Sequence, residues 1–268
     1  MAEERMIKSF DGLKLFGKKD EAAEPKRVVV IVHGLAEHLG RYEPLTAELT
    51  QSRATVYRYD QRGHARSEGK RVFIEDYNEL INDLLVQVEL AKSENPGLPV
   101  YVIGHSMGGY TAAVFGTKYP GTVNGFVLSG ALTRYNQPIF GELPLPYEAD
   151  TYLPNELGDG VCSDPAVIED YMNDPNVEKE ISVGLINALA PGVELLTGEP
   201  QRFTDPVLVL HGNDDGLVSE KDSRDFFGEV ASKDKTLKIY SGLMHEIFNE
   251  VSKQDVYDDV IAWLNKQE

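Results

Sequence analysis

The chain has 268 residues, enough for one large core or two modest ones, and its 41% hydrophobic content excludes an intrinsically disordered protein. A net charge of −18 argues against binding to nucleic acid or to anionic membranes. The single cysteine, Cys162, excludes an internal disulfide, and the longest apolar run, residues 28–32, is too short to cross a bilayer. Because the charged N-terminus lacks the apolar stretch of a signal peptide, we expect a cytoplasmic protein without stable membrane insertion.

The first half of the chain alternates between strand-like and helix-like segments. Asp11-Gly12 is a strong two-residue turn signal and predicts a hairpin within residues 8–19. Apolar runs and helical spacing then predict buried strands at 27–32, 54–59 and 100–103 and helices at 42–52 and 75–94.

The second half continues this alternation after an interruption. Strands are predicted at 123–129, 207–210 and 237–240, followed by an amphipathic helix around 256–264. Residues 133–203 are rich in proline and contain two short helical segments, 165–173 and 177–189. The pattern predicts an α/β protein, in which residues 1–132 and 204–268 form a doubly wound, mostly parallel sheet. Residues 133–203 are then an inserted helical cap over the active edge of that sheet.

A nucleophile is predicted where the strand at 100–103 meets a helix at 110–119. Residues Gly104 to Gly108 fit the pattern G-x-S-x-G, with Ser106 at its centre. A strand that turns into a helix within two residues makes a tight bend, and the glycines let the two elements approach. A serine that merely caps a helix in a glycine-rich turn is the alternative, but the strand–turn–helix context favours an exposed nucleophile.

A serine nucleophile needs a base, and the base needs an acid to hold its tautomer. In one known chain order the acid and then the histidine follow the serine. The acid should leave the strand at 207–210, where Asp215 is the preferred candidate and Asp214 the alternative. Both aspartates could instead cap a polar turn before the next helix. His245 is the one histidine that follows them, which makes it the predicted base.

Two backbone amides are needed to hold the oxyanion of such a reaction. The amide of Met107 lies directly after the nucleophile. The amide of Leu35, in the loop after the strand at 27–32, is the predicted second donor. A simple turn out of the strand is the alternative interpretation of this loop.

Five segments together resemble the monoglyceride lipase and lysophospholipase-like branch of the α/β-hydrolases, an S33-type family. They are HGLAEHLGRY (33–42), DQRGHARSEG (60–69), GHSMGG (104–109), LHGNDDGLV (210–218) and MHEIFNE (244–250). Residues 163–177 are similar to the cap of that family. The resemblance implies the α/β-hydrolase fold, a triad of Ser106, Asp215 and His245, and oxyanion donors at Leu35 and Met107. It implies no cofactor and no metal.

The resemblance also implies residues for substrate binding. Glu37 and Arg41 correspond to a segment that orders the polar end of the site near the glyceryl headgroup, although a buried ion pair that only holds the loop is an equal alternative. The cap residues Ile139 and Phe140 belong to an apolar set that either lines an acyl tunnel or packs the cap onto the core. Phe248 stands where animal relatives carry a second histidine close to the headgroup.

The sequence therefore predicts a cofactor-independent serine hydrolase of carboxylic esters. We expect a small-molecule ester with an acyl chain, monoacylglycerol-like or lysophospholipid-like, and an acyl-enzyme intermediate. A small-ester or aryl-ester (feruloyl-type) carboxylesterase on the same scaffold is the alternative enzyme. A non-catalytic binding protein with the hydrolase fold is the alternative of another class. A metal hydrolase is disfavoured because the histidines lack ligand spacing such as H-E-x-x-H. The sequence is compatible with a homodimer.

Overall fold

The main sheet follows the predicted apolar runs. A computed structural model describes residues 2–267, and its strands are β1 (Ala2–Lys8), β2 (Lys14–Asp20), β3 (Arg27–Val32), β4 (Ala54–Tyr59), β5 (Val100–His105), β6 (Gly125–Ser129), β7 (Tyr152–Pro154), β8 (Glu180–Ser182), β9 (Val207–Gly212) and β10 (Lys235–Tyr240). Eight strands form one sheet in the order β1-β2-β4-β3-β5-β6-β9-β10. From β4 to β10 all neighbours are parallel, and β1 and β2 add antiparallel pairs at one edge. The predicted mostly parallel sheet is confirmed.

Helices cover both faces of this sheet. They are α1 (Glu43–Gln51), α2 (Asn78–Glu94), α3 (Met107–Lys118), α4 (Pro165–Asn173), α5 (Val183–Gly198), α6 (Glu220–Glu229) and α7 (Lys253–Lys266). The residues of β3 alternate between two cores, one shared with α2, α3 and α6 and the other with α1 and α7. Burial on both faces explains why the strand is a continuous apolar run instead of an alternating one.

Three elements differ from the prediction. The second helix of the insertion was predicted at 177–189, but β8 occupies part of that segment and α5 starts only at Val183. Ser182 fixes this start, because its hydroxyl accepts a hydrogen bond from the Leu185 amide at 3.0 Å. α5 also continues through Pro191 instead of ending before it. The sequence pattern missed α6, and the N-terminal hairpin has a five-residue loop, 9–13, instead of a two-residue turn.

Residues between β6 and β9 form a separate group of elements beside the sheet. They contribute the β7–β8 pair, α4 and α5. The hydroxyl of Tyr110 on α3 donates to the carbonyl of Leu189 on α5 at 3.0 Å, which ties this group to the main body. Within residues 2–267 no helix has the length and apolar character needed to span a bilayer.

Candidate active site

Ser106 lies at a strained bend between β5 and α3. Its φ of 53° and ψ of −118° are unusual for a residue with a side chain, and such strain is typical of a nucleophile held at the tip of a turn. A Cβ atom at Gly108 would lie 2.1 Å from the carbonyl oxygen of Val32, and one at Gly104 would lie 2.3 Å from that of Gly108. The bend therefore requires glycine at both positions, and the predicted strand–turn–helix is confirmed.

Asp215 follows β9 and is surrounded by N–H groups. Its Oδ1 accepts hydrogen bonds from the amides of Leu217 at 2.8 Å and Val218 at 2.9 Å. Its Oδ2 lies 2.7 Å from His245 Nδ1 and 2.9 Å from His211 Nε2. Burial opposes a charged carboxylate here, but the two histidines outweigh it and hold the pKa of Asp215 well below its usual range.

His245 follows β10 and contacts Asp215, whereas Asp214 is exposed. Burial lowers the pKa of His245, but the charges of Asp215, Glu246 and Glu37 outweigh burial and raise it. Because Nδ1 faces a carboxylate oxygen, a neutral His245 carries its proton on Nδ1 and keeps Nε2 as an acceptor. The ring centre of His105 lies 4.6 Å away, and burial together with His245 lowers the pKa of His105 to about 3.

Ser106 and His245 line one cavity of about 810 Å³, part of which is open to solvent. Most of the wall is apolar and comes from residues between β6 and β9, including Ile139, Phe140, Leu143, Leu157, Ile186 and Leu189. The two predicted cap residues, Ile139 and Phe140, thus do reach the cavity that holds the candidate nucleophile.

The two predicted oxyanion donors, Leu35 and Met107, line the same cavity. Met107 is the first residue of α3, so its amide is one of those that a helix leaves without an intrahelical acceptor. Leu35 follows Gly34, whose own amide donates to Glu37 Oε1 at 2.5 Å. That bond fixes the loop that carries the Leu35 amide.

Glu37 reaches the polar end of the cavity, but Arg41 lies behind it. Arg41 Nε lies 3.2 Å from Glu37 Oε2, and its Nη2 donates to Glu246 Oε2 at 2.5 Å. The ring of Tyr171 on α4 covers the guanidinium, with 5.0 Å between them. Arg41 is thus enclosed by two carboxylates and an aromatic ring, and the cavity wall at this end carries two acidic groups, Glu37 and Glu246.

Phe248 does not reach the cavity. Its ring is buried in the core beside α7, where it faces Tyr257 with 6.4 Å between ring centres. Ala65, in the segment 60–69, has the left-handed backbone conformation that is usual for glycine, with φ of 40°. Its amide donates to Glu178 Oε1 at 3.0 Å.

The sequence missed two polar residues of the site. Glu246 lines the cavity directly after the predicted base, and that adjacency was the available signal. His211 lies in β9, one residue before its end, and contacts Asp215. Chain order excluded His211 as the base, but its position at the strand end that the acid follows was a signal that the two lie close together. Among residues 2–267, no group of three or more His, Cys, Asp or Glu side chains could hold a metal ion.

Comparison with known proteins assigns the family. The model of the family described as serine aminopeptidase, S33, matches residues 23–252, which is most of the chain. The chain belongs to this family. It is 38% identical over 257 residues to a monoacylglycerol lipase of Mycolicibacterium smegmatis, covering 90% of this chain and 89% of the relative. It is 30% identical to human monoglyceride lipase, covering 91% of this chain and 84% of the relative.

Solved structures agree with this assignment. The crystal structure of Paleococcus ferrophilus monoacylglycerol lipase has a TM-score of 0.84 at 29% identity and covers 95% of this chain and 99% of that one. A soluble variant of monoglyceride lipase from Saccharomyces cerevisiae, in complex with a substrate analogue, has a TM-score of 0.87 at 26% identity, covering 99% and 94%. The family member described here is therefore an α/β-hydrolase and an ester hydrolase of lipase or esterase type, with a small-molecule ester as substrate.

Proposed function

We propose that this hydrolase cleaves monoacylglycerol-like acyl esters through a Ser106–His245–Asp215 triad and an acyl-enzyme intermediate. The observation that carries the proposal is the 2.7 Å contact between His245 Nδ1 and Asp215 Oδ2, made beside a largely apolar cavity that Ser106 and His245 both line. A histidine paired in this way has its second nitrogen available for the proton of a serine hydroxyl.

In the proposed reaction His245 Nε2 accepts the proton of Ser106 while Oγ attacks the ester carbonyl. The amides of Leu35 and Met107 bind the oxyanion of the tetrahedral intermediate. His245 then gives its proton to the leaving alcohol, and the acyl group stays on Ser106. Water, deprotonated by His245, attacks this acyl-enzyme, and the carboxylic acid leaves as Ser106 regains its proton. Asp215 stabilises the imidazolium that forms in both halves of the reaction.

An acyl chain is the proposed occupant of the apolar part of the cavity. Residues 133–203 supply most of that wall, which supports their role as a cap over the site. Two relatives bear the names monoacylglycerol lipase and monoglyceride lipase, which supports a glyceryl ester as the substrate. Each methylene that the wall removes from water contributes about 0.8 kcal/mol at most, or about fourfold in kcat/KM.

The test of the triad uses the purified protein with a monoacylglycerol and a fluorophosphonate probe. We expect the probe to label Ser106, and Ser106→Ala to lower kcat by about 10⁶-fold with the fold intact. Ser93→Ala, on the outer side of α2, is the matched control and keeps both activity and labelling. Absence of labelling in the parent protein would support a binding protein, and an active Ser106→Ala variant would refute the assignment.

The test of the substrate is a panel of esters in which the acyl part and the alcohol part vary separately. We expect kcat/KM to rise from acetyl to medium-length acyl chains and to be higher for glyceryl than for aryl alcohols. A clear preference for acetyl esters would refute the acyl-chain proposal and leave a small-ester esterase on the same scaffold.

A further inference from the structure

A second histidine contacts the carboxylate of Asp215. His211, at the end of β9, is fully buried. Its Nε2 lies 2.9 Å from Asp215 Oδ2 and 3.0 Å from the carbonyl oxygen of Val218. Its Nδ1 lies 2.7 Å from the hydroxyl of Ser223 on α6. The carboxylate oxygen that faces His245 is therefore shared between two imidazoles.

The neighbours of His211 fix where its proton lies. Both atoms near Nε2 are oxygens that carry no hydrogen, one of a carbonyl and one of an ionised carboxylate, so Nε2 must be the protonated nitrogen. Its N–H faces the carbonyl oxygen of Val218 at 3.0 Å, and the same nitrogen contacts Asp215 Oδ2 at 2.9 Å. At Nδ1 the hydroxyl of Ser223 is a suitable donor. Ser223, His211, Asp215 and His245 thus form a continuous polar chain below the cavity.

We propose that His211 is a positioning residue for the reaction, which holds the Asp215 carboxylate through its Nε2–H and draws part of the negative charge of that carboxylate away from His245. This inference rests on the proposed triad. His245 faces Asp215, Glu246 and Glu37, all of which favour its protonated form, and burial opposes them. A base must be neutral to accept a proton from Ser106. An N–H donor on Asp215 weakens the strongest of these attractions and so keeps more of His245 in the active form.

The experiment compares His211→Phe with His211→Gln. Phenylalanine keeps the ring volume but removes the N–H, whereas glutamine keeps an N–H donor of similar reach. We expect His211→Phe to lower kcat/KM by about 10- to 100-fold, the range for one hydrogen bond to a charged group, and to move the acidic limb of its pH profile to higher pH. His211→Gln should restore most of the activity and the pH profile of the parent enzyme.

The direction of the pH shift separates a donor from a purely structural residue. If His211 only filled space, the ring of phenylalanine would fill it equally well and the pH profile would not change. If Asp215 instead lost its contact with His245 in the His211→Phe variant, the acidic limb would move to lower pH. An unchanged profile or a shift to lower pH overturns the proposal. Failure of the triad itself would instead appear as full activity of Ser106→Ala, so the two results are distinct.

A second measurement tests the proposal even if the His211 variants do not fold. In the parent enzyme the ¹⁵N shifts of the His211 imidazole report which nitrogen carries the proton. We expect Nε2 to be protonated throughout the pH range of activity. A His211 protonated on Nδ1 alone would have no N–H toward Asp215 and would overturn the proposal as well.

Discussion

Asp215→Asn is the most informative single change, because it replaces one acceptor of a carboxylate that four N–H groups surround. The amides of Leu217 and Val218 face Oδ1, and the rings of His245 and His211 face Oδ2. Asparagine has the same shape but offers one acceptor oxygen and one NH₂ donor. Two donors must therefore meet the NH₂ group whichever way the amide turns.

The two orientations differ in their energy. If the NH₂ group faces the backbone amides, two buried N–H groups lose their acceptor, and each such loss costs about 1–3 kcal/mol. If it faces the histidines, His245 can move its proton from Nδ1 to Nε2 and accept from the NH₂ group. His211 still has the carbonyl of Val218 as an acceptor. The second orientation is favoured, but it leaves His245 in a tautomer that cannot take the proton of Ser106.

We therefore expect Asp215→Asn to fold and to lose about 10⁴-fold in kcat, the effect of the wrong tautomer in a serine triad. The assay is kcat on a monoacylglycerol, with urea unfolding to show that the free energy of unfolding falls by no more than about 1–3 kcal/mol. Asp214→Asn is the matched control, since Asp214 is the exposed neighbour and should keep full activity. Activity of Asp215→Asn within about tenfold of the parent enzyme, or an equal loss in Asp214→Asn, would refute the assignment of the acid.

Three further predictions concern the base, the polar end and the bend at Ser106. Burial lowers the pKa of His245, but its acidic neighbours outweigh burial and raise the pKa above the ordinary range of a histidine. Because the active base is neutral, kcat/KM should fall as the pH drops through this raised pKa, and an acidic limb below the ordinary range of histidine would contradict the prediction. Glu246→Gln removes one of the two carboxylates at the polar end of the cavity. The variant should therefore accept an ester with an anionic headgroup better, which means that kcat/KM for that ester, divided by kcat/KM for a neutral monoacylglycerol, should rise. An unchanged ratio would show that this end of the cavity does not meet the headgroup. Gly108→Ala should lower the free energy of unfolding, measured in urea, by about 3 kcal/mol, because the added Cβ would meet the backbone of Val32. Gly228→Ala on α6, where the space around the glycine is open, should raise the free energy of unfolding by about 0.4–1 kcal/mol. Equal effects of the two substitutions would exclude the close approach at Gly108.

The central strands could be predicted from the sequence because strands that are buried on both faces are rich in apolar residues. β3, β4 and β5 are buried along their whole length, and apolar residues predominate in them, most clearly in the run of residues 28–32 in β3. The elements of the insertion are harder to predict because tertiary contacts decide them. α5 continues past Pro191, although a proline has no amide hydrogen for a helix bond, and Leu189 and Gly192 on either side of it are buried.

The candidate site, too, could be predicted only in part from the sequence. Chain order and strand ends predicted the contact of Asp215 with His245, because the loops at the carboxyl ends of parallel strands meet at one edge of the sheet. The side-chain surroundings could not be predicted in this way. Arg41 turns back to Glu37 and Glu246 instead of entering the cavity, since a buried guanidinium is held by the nearest carboxylates. Phe248 joins the core, as an aromatic ring without a polar partner normally does.

α6 is the helix that the hydrophobic pattern missed, because its buried face is mostly polar. Two of its buried residues, Asp222 and Ser223, are polar. The carboxylate of Asp222 accepts hydrogen bonds from the amides of residues 134–136, where the chain enters the insertion. The hydroxyl of Ser223, one residue later, contacts His211 and through it Asp215. Polar residues take two of the three buried positions of α6, and Phe226 takes the third, so the helix has too few apolar residues to be predicted as a buried element. The residues that connect the base of the insertion to the proposed acid are thus the ones that hide this helix in the sequence.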